Sequence, residues 1–266
     1  MTDRYAVFGN PVAHSKSPRI HALFAAATGQ DLRYEAILAP LDGFAEAVRR
    51  FAAEGGRGAN VTVPFKEEAF RLATRLTPRA RAAGAVNTLR FDGQAIVGDN
   101  TDGAGLVRDI TGNLGCELRG RRVQLLGAGG AARGVIQPLL DAAPAGLVIA
   151  NRTEDKAARL ADAFPGTTAC GYTALAGRAF DIVINATSAG LVGAGLPLPD
   201  GIFAAGCLAY EMMYGRRTPF MTLAQAAGAT TADGLGMLVE QAAESFLLWR
   251  GVRPQTDRVL AQLRAE

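Results

Sequence analysis

Residues 121–150 read RRVQLLGAGGAARGVIQPLLDAAPAGLVIA: an apolar run with a basic flank, a glycine turn, a stretch with helical spacing, and a second apolar run. Two strands joined through a helix are parallel, and the crossover is right-handed. Gly127, Gly129 and Ala132 match the G-x-G-x-x-A form of the dinucleotide-binding turn. The first glycine makes the tight turn, the second admits a pyrophosphate, and Ala132 lets the helix pack closely. This part of the chain therefore reads as α/β, with a nucleotide expected at the start of the helix.

The second strand ends in Asn151, Arg152 and Thr153. A binder of NAD carries Asp or Glu there for the ribose 2′-hydroxyl. Arg152 instead stacks on adenine and pairs with a 2′-phosphate, which points to NADP. Lys156 offers further positive charge, Glu154 and Asp155 beside it offset some of it, and Thr153 is equally placed to cap the following helix.

A similar alternation occupies the first hundred residues. Tyr5–Gly9 and Leu32–Leu38 read as strands, each followed by a helical stretch. Gly58 to Lys66, GANVTVPFK, reads as a glycine turn and a third strand that Pro64 ends. Lys66 then sits past the carboxyl end of a strand, the edge where open α/β sheets bind ligands. Composition gives it weight, because only Lys16, Lys66 and Lys156 are lysines among 28 basic residues. Arginine stays protonated, whereas lysine can be tuned to exchange a proton. A solvated lysine on a first helical turn is the competing reading.

In the loop GNPVAHSKSP, Ser17 before Pro18 reads as an N-cap and Ser15 as a loop hydroxyl; the pair reads equally well as a small anion site. Asp92-Gly93 between two alternating runs predicts a hairpin. Its second strand leads into Asp99, Asn100, Thr101 and Asp102, of which a helix N-terminus explains one acidic residue. Near the end, Gly234 and Gly236 precede an amphipathic helix in which Gln241 lies one turn from the apolar stripe, and a last helix is expected over 254–265.

The net charge of +3 gives no reason to expect nucleic acid or an anionic membrane as partner. Cys116, Cys170 and Cys207 are too widely spaced for a zinc site or disulfide framework, and two histidines build no His-rich metal centre. A reduced, cytoplasmic protein without metal is expected, and no apolar run reaches membrane-spanning length.

The strings GNPVAHSKSP, GANVTVPFKE, AGAVNT, GDNTDG, GAGGAARG, NRT, INATSAG, YEMMY and ADGLGMLVEQA occur in the order and spacing of one family. Over nearly its full length the chain resembles the shikimate dehydrogenases. The resemblance implies a two-domain α/β protein: a mostly parallel substrate domain over 1–103, a Rossmann-like NADP-binding domain over 104–235, and C-terminal helices over 236–266 returning to the first domain. It implies NADPH-dependent reduction of the small molecule 3-dehydroshikimate to shikimate, by a monomer or homodimer. Lys66 and Asp102 correspond to the catalytic pair. Ser15, Ser17 and Tyr214 are implied for the substrate carboxylate, and Thr62, Asn87 and Gln241 for its ring oxygens. Gly127, Ala128, Gly129, Gly130, Ala131, Asn151, Arg152, Thr153, Met212 and Gly234 are implied for the cofactor. Glu211 stands where the family usually has Asp, Met213 where it has Phe, and Lys156 where an arginine often holds the 2′-phosphate. A quinate/shikimate dehydrogenase favouring NAD, and a metabolite-sensing relative without turnover, are the alternatives.

Overall fold

The computed structural model describes residues 2–266 and divides into two compact units, one of Met1–Gly105 with Leu238–Glu266 and one of Leu106–Met237. In the first unit, β1 (Asp3–Gly9), α1 (Ser17–Thr28), β2 (Leu32–Leu38), α2 (Phe44–Ala53) and β3 (Gly56–Val61) follow one another. Both β2 and β3 pair with β1 in parallel, as the βαβαβ alternation requires. Next come α3 (Lys66–Leu72), the two-residue β4 (Arg75–Leu76), α4 (Pro78–Ala83), and the hairpin β5 (Thr88–Asp92) and β6 (Ala95–Asp99). The hairpin turns through Gly93 at φ 60°, and the sheet order is β2-β1-β3-β5-β6-β4. Under one face lies a core in which Phe8, Phe44, Phe51 and Phe65 are buried, with the Phe44 and Phe65 rings stacked at 4.7 Å.

Two local readings are corrected. Gly58 lies inside β3 and makes no turn. A Cβ there would stand 2.5 Å from Nε1 of Trp249, so the glycine leaves room for the indole, which donates to the Leu89 carbonyl. Ser17 is the first residue of α1, and its side chain caps nothing; the preceding Ser15 Oγ accepts the Ser17 N–H at 3.3 Å. With Pro18 in the first turn, the cap position falls on Lys16, one residue earlier than the Ser-Pro pair implies.

In the second unit, α5 (Asp102–Arg108) enters from the first and runs into a π-helical turn at Asp109–Asn113. The unit's sheet is built from β7 (Arg122–Leu126), β8 (Gly146–Ala150), β9 (Thr167–Cys170), β10 (Phe180–Asn185), β11 (Phe203–Glu211) and β12 (Thr230–Asp233). Every pairing is parallel, in the order β12-β11-β10-β7-β8-β9. Order reverses beside β7, the doubly wound arrangement that opens a crevice at the strands' carboxyl ends. Helices α6 (Gly130–Asp141), α7 (Glu154–Ala163) and α8 (Pro219–Ala226) complete the crossovers, while α9 (Leu235–Arg250) leads back to the first unit and α10 (Asp257–Ala265) follows. Among the described residues no helix is long and apolar enough to cross a membrane.

Candidate active site

Lys66 opens α3, five residues beyond the ladder of β3 with Pro64 between, and Asp102 opens α5, three residues beyond β6. Sheet order brings these two strand ends to the same edge, with β5 between them. Nζ of Lys66 donates to Oδ2 of Asp102 at 2.6 Å, and their side chains are 32% and 14% exposed. The lysine is therefore the more open member, with the carboxylate behind it.

Asp102 is fixed from its other side. Nδ2 of Asn87 donates to its Oδ1 at 2.8 Å, and its backbone N–H donates to Oδ1 of Asn100 at 3.1 Å. Asn87 Oδ1 accepts the Thr101 N–H and the Thr88 hydroxyl, both at 2.9 Å. Gln241 Oε1 lies 3.3 Å from both Asn87 Nδ2 and Thr101 Oγ1. Lys66, Asp102, Asn87 and Gln241 thus form one connected polar group. Thr62 follows β3 directly, its N–H on the Phe8 carbonyl and its methyl 2.5 Å from where a Cβ on Gly9 would be, so residue 9 must be glycine. Ser15 and buried Ser17 share the turn into α1. Tyr214 belongs to the second unit, and burial pushes its phenol up, keeping it a proton donor.

The sequence reading missed the layer behind these groups. Buried Asn60 accepts from the Tyr34 hydroxyl at 2.8 Å and donates to Ser245 Oγ at 2.9 Å, and Ser245 also bonds Thr88 at 2.8 Å. Asp99, 2% exposed, receives two bonds from Arg79 at 2.7 and 2.6 Å and one from the Thr77 hydroxyl at 2.6 Å. Burial alone would raise the Asp99 carboxyl, and these donors hold it below its ordinary value. The acidic cluster at 99–102 is thereby divided: Asp99 anchors, Asn100 and Thr101 brace, and Asp102 meets Lys66. Of this layer the sequence marks Asp99, as one of the crowded polar residues at 99–102, while Asn60 reads only as a polar position of an alternating strand.

In the second unit, Gly127 ends β7 at φ 110°, and a Cβ there would approach the Ala186 carbonyl and the Thr187 methyl at 3.2 Å. Gly129 and Gly130 are exposed, with nothing within 4 Å of an added Cβ, and no side chain caps the helix that starts there. Bare N–H groups beside open space at the start of a 12-residue helix fit a pyrophosphate. Ala128 is half-buried and Ala131 exposed beside them. Past β8, Nδ2 of Asn151 closes onto the Thr153 carbonyl at 2.9 Å, leaving Arg152, Thr153 and Lys156 exposed. Thr153 occupies the N-cap position of α7 without a side-chain bond, so its hydroxyl is not used as the expected cap. No carboxylate stands at the strand-end positions 151–153, and the donor set matches NADP. Half-buried Met212 and buried Gly234 follow β11 and β12, and a Cβ on Gly234 would lie 2.2 Å from the Met212 carbonyl oxygen. Among the described residues no cluster of His, Cys, Asp and Glu could hold a metal.

Three family models match this chain: the shikimate dehydrogenase substrate binding domain over residues 7–89, shikimate / quinate 5-dehydrogenase over 107–192, and the shikimate 5′-dehydrogenase C-terminal domain over 234–264. The shikimate dehydrogenase (NADP(+)) of Dechloromonas aromatica is 67% identical, with 100% of this chain and 99% of the relative covered. The chain belongs to the shikimate dehydrogenase family. Among solved structures, an Ael1 enzyme from Pseudomonas putida is similar at 53% identity and TM-score 0.95, with 98% of each chain covered. A shikimate 5-dehydrogenase from Thermus thermophilus, in complex with NADP(H) and shikimate, is similar at 33% identity and TM-score 0.89, with 99% of each covered.

Proposed function

We propose that this chain is a shikimate dehydrogenase: it catalyses the reversible NADPH-dependent reduction of 3-dehydroshikimate to shikimate. The observation that carries the reading is the Lys66–Asp102 pair, 2.6 Å apart at a strand-end edge and held by Asn87. NADPH supplies the hydride when bound. Reduction of a ketone develops negative charge on its oxygen and then requires a proton, and the Lys66 ammonium supplies both the counter-charge and the proton. Asp102 holds the ammonium in place and accepts from a substrate hydroxyl.

Ser15, Ser17 and Tyr214 take the substrate carboxylate, and Thr62, Asn87 and Gln241 its ring oxygens. Gly127 through Ala131 receive the pyrophosphate, Arg152 with Asn151, Thr153 and Lys156 the 2′-phosphate end, and Met212 and Gly234 the nicotinamide end. The relative from Dechloromonas aromatica bears the name shikimate dehydrogenase (NADP(+)), which supports both substrate and cofactor. Residues 1–103 with the helices over 236–266 serve the substrate, and residues 104–235 serve the cofactor. The protein acts as a monomer or homodimer in a reducing, cytoplasmic compartment, in keeping with its three free cysteines.

The test is NADPH oxidation by purified protein with 3-dehydroshikimate, beside NADH and quinate assays. Turnover with NADPH and 3-dehydroshikimate supports the reading, and none at neutral pH contradicts it. A comparable kcat/KM for quinate with NAD would replace it with the broader quinate/shikimate activity.

A further inference from the structure

Leu126, Asn185, Glu211 and Asp233, the last residues of β7, β10, β11 and β12, stand in register on adjacent strands and form one line across the sheet's carboxyl edge. Glu211 is a carboxylate 0% exposed in that line. Its Oε2 accepts from Asn185 Nδ2 at 2.7 Å and from the Thr218 hydroxyl at 2.8 Å, and its Oε1 accepts the Met213 N–H at 3.1 Å. These donors come from the end of β10 and from two points in the loop between β11 and α8. A buried carboxylate is costly unless its lone pairs are filled, so the end of β10 and the β11–α8 loop are held to one geometry by one side chain.

The ties continue outward. Asn185 Oδ1 accepts both the N–H and the hydroxyl of Thr187, at 3.0 and 2.8 Å, and Thr187 packs where a Cβ on Gly127 would be. The Met212 N–H donates to the Asn185 carbonyl at 3.0 Å, and the Gly234 N–H to the Met213 carbonyl at 2.9 Å. Glu211 therefore braces the loops after β10, β11 and β12 against one another and against the glycine turn after β7. In a doubly wound sheet of this order a dinucleotide lies across the point of reversal. With the pyrophosphate turn after β7 and Arg152 after β8, the adenosine half would lie over β7 to β9 and the nicotinamide half over β10 to β12.

From this geometry we infer that Glu211 is a positioning residue for the nicotinamide half of the cofactor: it fixes the floor formed by Asn185, Thr187, Met212, Met213 and Gly234. The inference rests on the cofactor reading above. Glu211 touches neither substrate nor cofactor in this role. It acts through the loops it joins, and it leaves the adenosine half, with Arg152 and Lys156, untouched.

The test compares two ligands by calorimetry on wild type, Glu211→Gln and Asn185→Ala. Adenosine 2′,5′-bisphosphate carries only the adenosine end, while NADP+ carries both. Removing one charge-assisted tie from the floor is expected to weaken NADP+ by about tenfold and to leave the bisphosphate within about twofold of wild type. Asn185→Ala cuts the link to Thr187 and is expected to give the same split, which keeps the proposal testable if Glu211→Gln does not fold. Parallel loss of both ligands would make Glu211 a residue of general stability and overturn the proposal, as would unchanged NADP+ affinity in both variants. Wild type that binds no bisphosphate, or binds it equally well after Arg152→Ala, would contradict the cofactor reading itself and this proposal with it.

Discussion

Asn87 donates to Asp102 Oδ1 at 2.8 Å while Lys66 holds the other carboxylate oxygen at 2.6 Å, so the amide and the ammonium grip Asp102 from opposite sides. Asn87 is thereby committed to the Lys66–Asp102 pair proposed as catalytic. Replacing Asn87 with Ala is expected to lower kcat by about tenfold, beyond any change in KM, because Asp102 loses the bond that orients it. Steady-state kinetics with 3-dehydroshikimate checks this; a change confined to KM would make Asn87 a substrate contact alone.

Arg152 is exposed past the end of β8, and no carboxylate accompanies it at the strand end. Arg152→Ala is expected to raise the Kd of NADPH by about tenfold or more, from the loss of a charge-assisted pair, and to leave NADH within about twofold. Fluorescence titration of both nucleotides decides it, since equal losses would remove the 2′-phosphate assignment.

His21 is 0% exposed, packed against Tyr34 with ring centroids 4.2 Å apart and flanked by Phe24, Phe246 and Trp249. Burial in this ring cluster lowers its pKa to about 3 from 6.5. Since the unfolded chain takes up the proton first, the neutral imidazole contributes its full stability above pH 6.5 and loses it progressively as pH falls toward 3. Between pH 6.5 and pH 5 the loss is about 2 kcal/mol. Urea unfolding at both pH values is expected to show this loss in wild type and a loss smaller by that amount in His21→Leu. An identical pH dependence in the two proteins would contradict the account.

The elements with local signals were legible: β1 through β3 with their helices, the Asp92-Gly93 hairpin, and the turn at Gly127. Each rests on spacing or turn chemistry within a few residues. The two-residue β4 lacks a run long enough to carry a period, and the π-helical turn at Asp109–Asn113 continues a helical pattern without a break in sequence. Lys66 could be singled out because it follows a strand end, whereas Asp102 stands among four crowded polar residues and only the family resemblance picks it out. Their support could not be singled out, because Asn60 meets Ser245 across 185 residues, and Arg79 meets Asp99 across 20 by a side-chain fork that no periodicity announces. Of the two readings of Ser17, the cap fails because Ser-Pro marks a helix start only to within one residue, and the hydroxyl that accepts the N–H is that of Ser15.

The most direct test of the central claim is kcat for Lys66→Ala beside the dissociation constant of shikimate. The ammonium acts chiefly as charge develops on the ketone oxygen, so kcat is expected to fall by about 10²- to 10⁴-fold while shikimate binding changes by less than about tenfold. A variant that keeps its kcat and loses only affinity would make Lys66 a binding residue and contradict the mechanism.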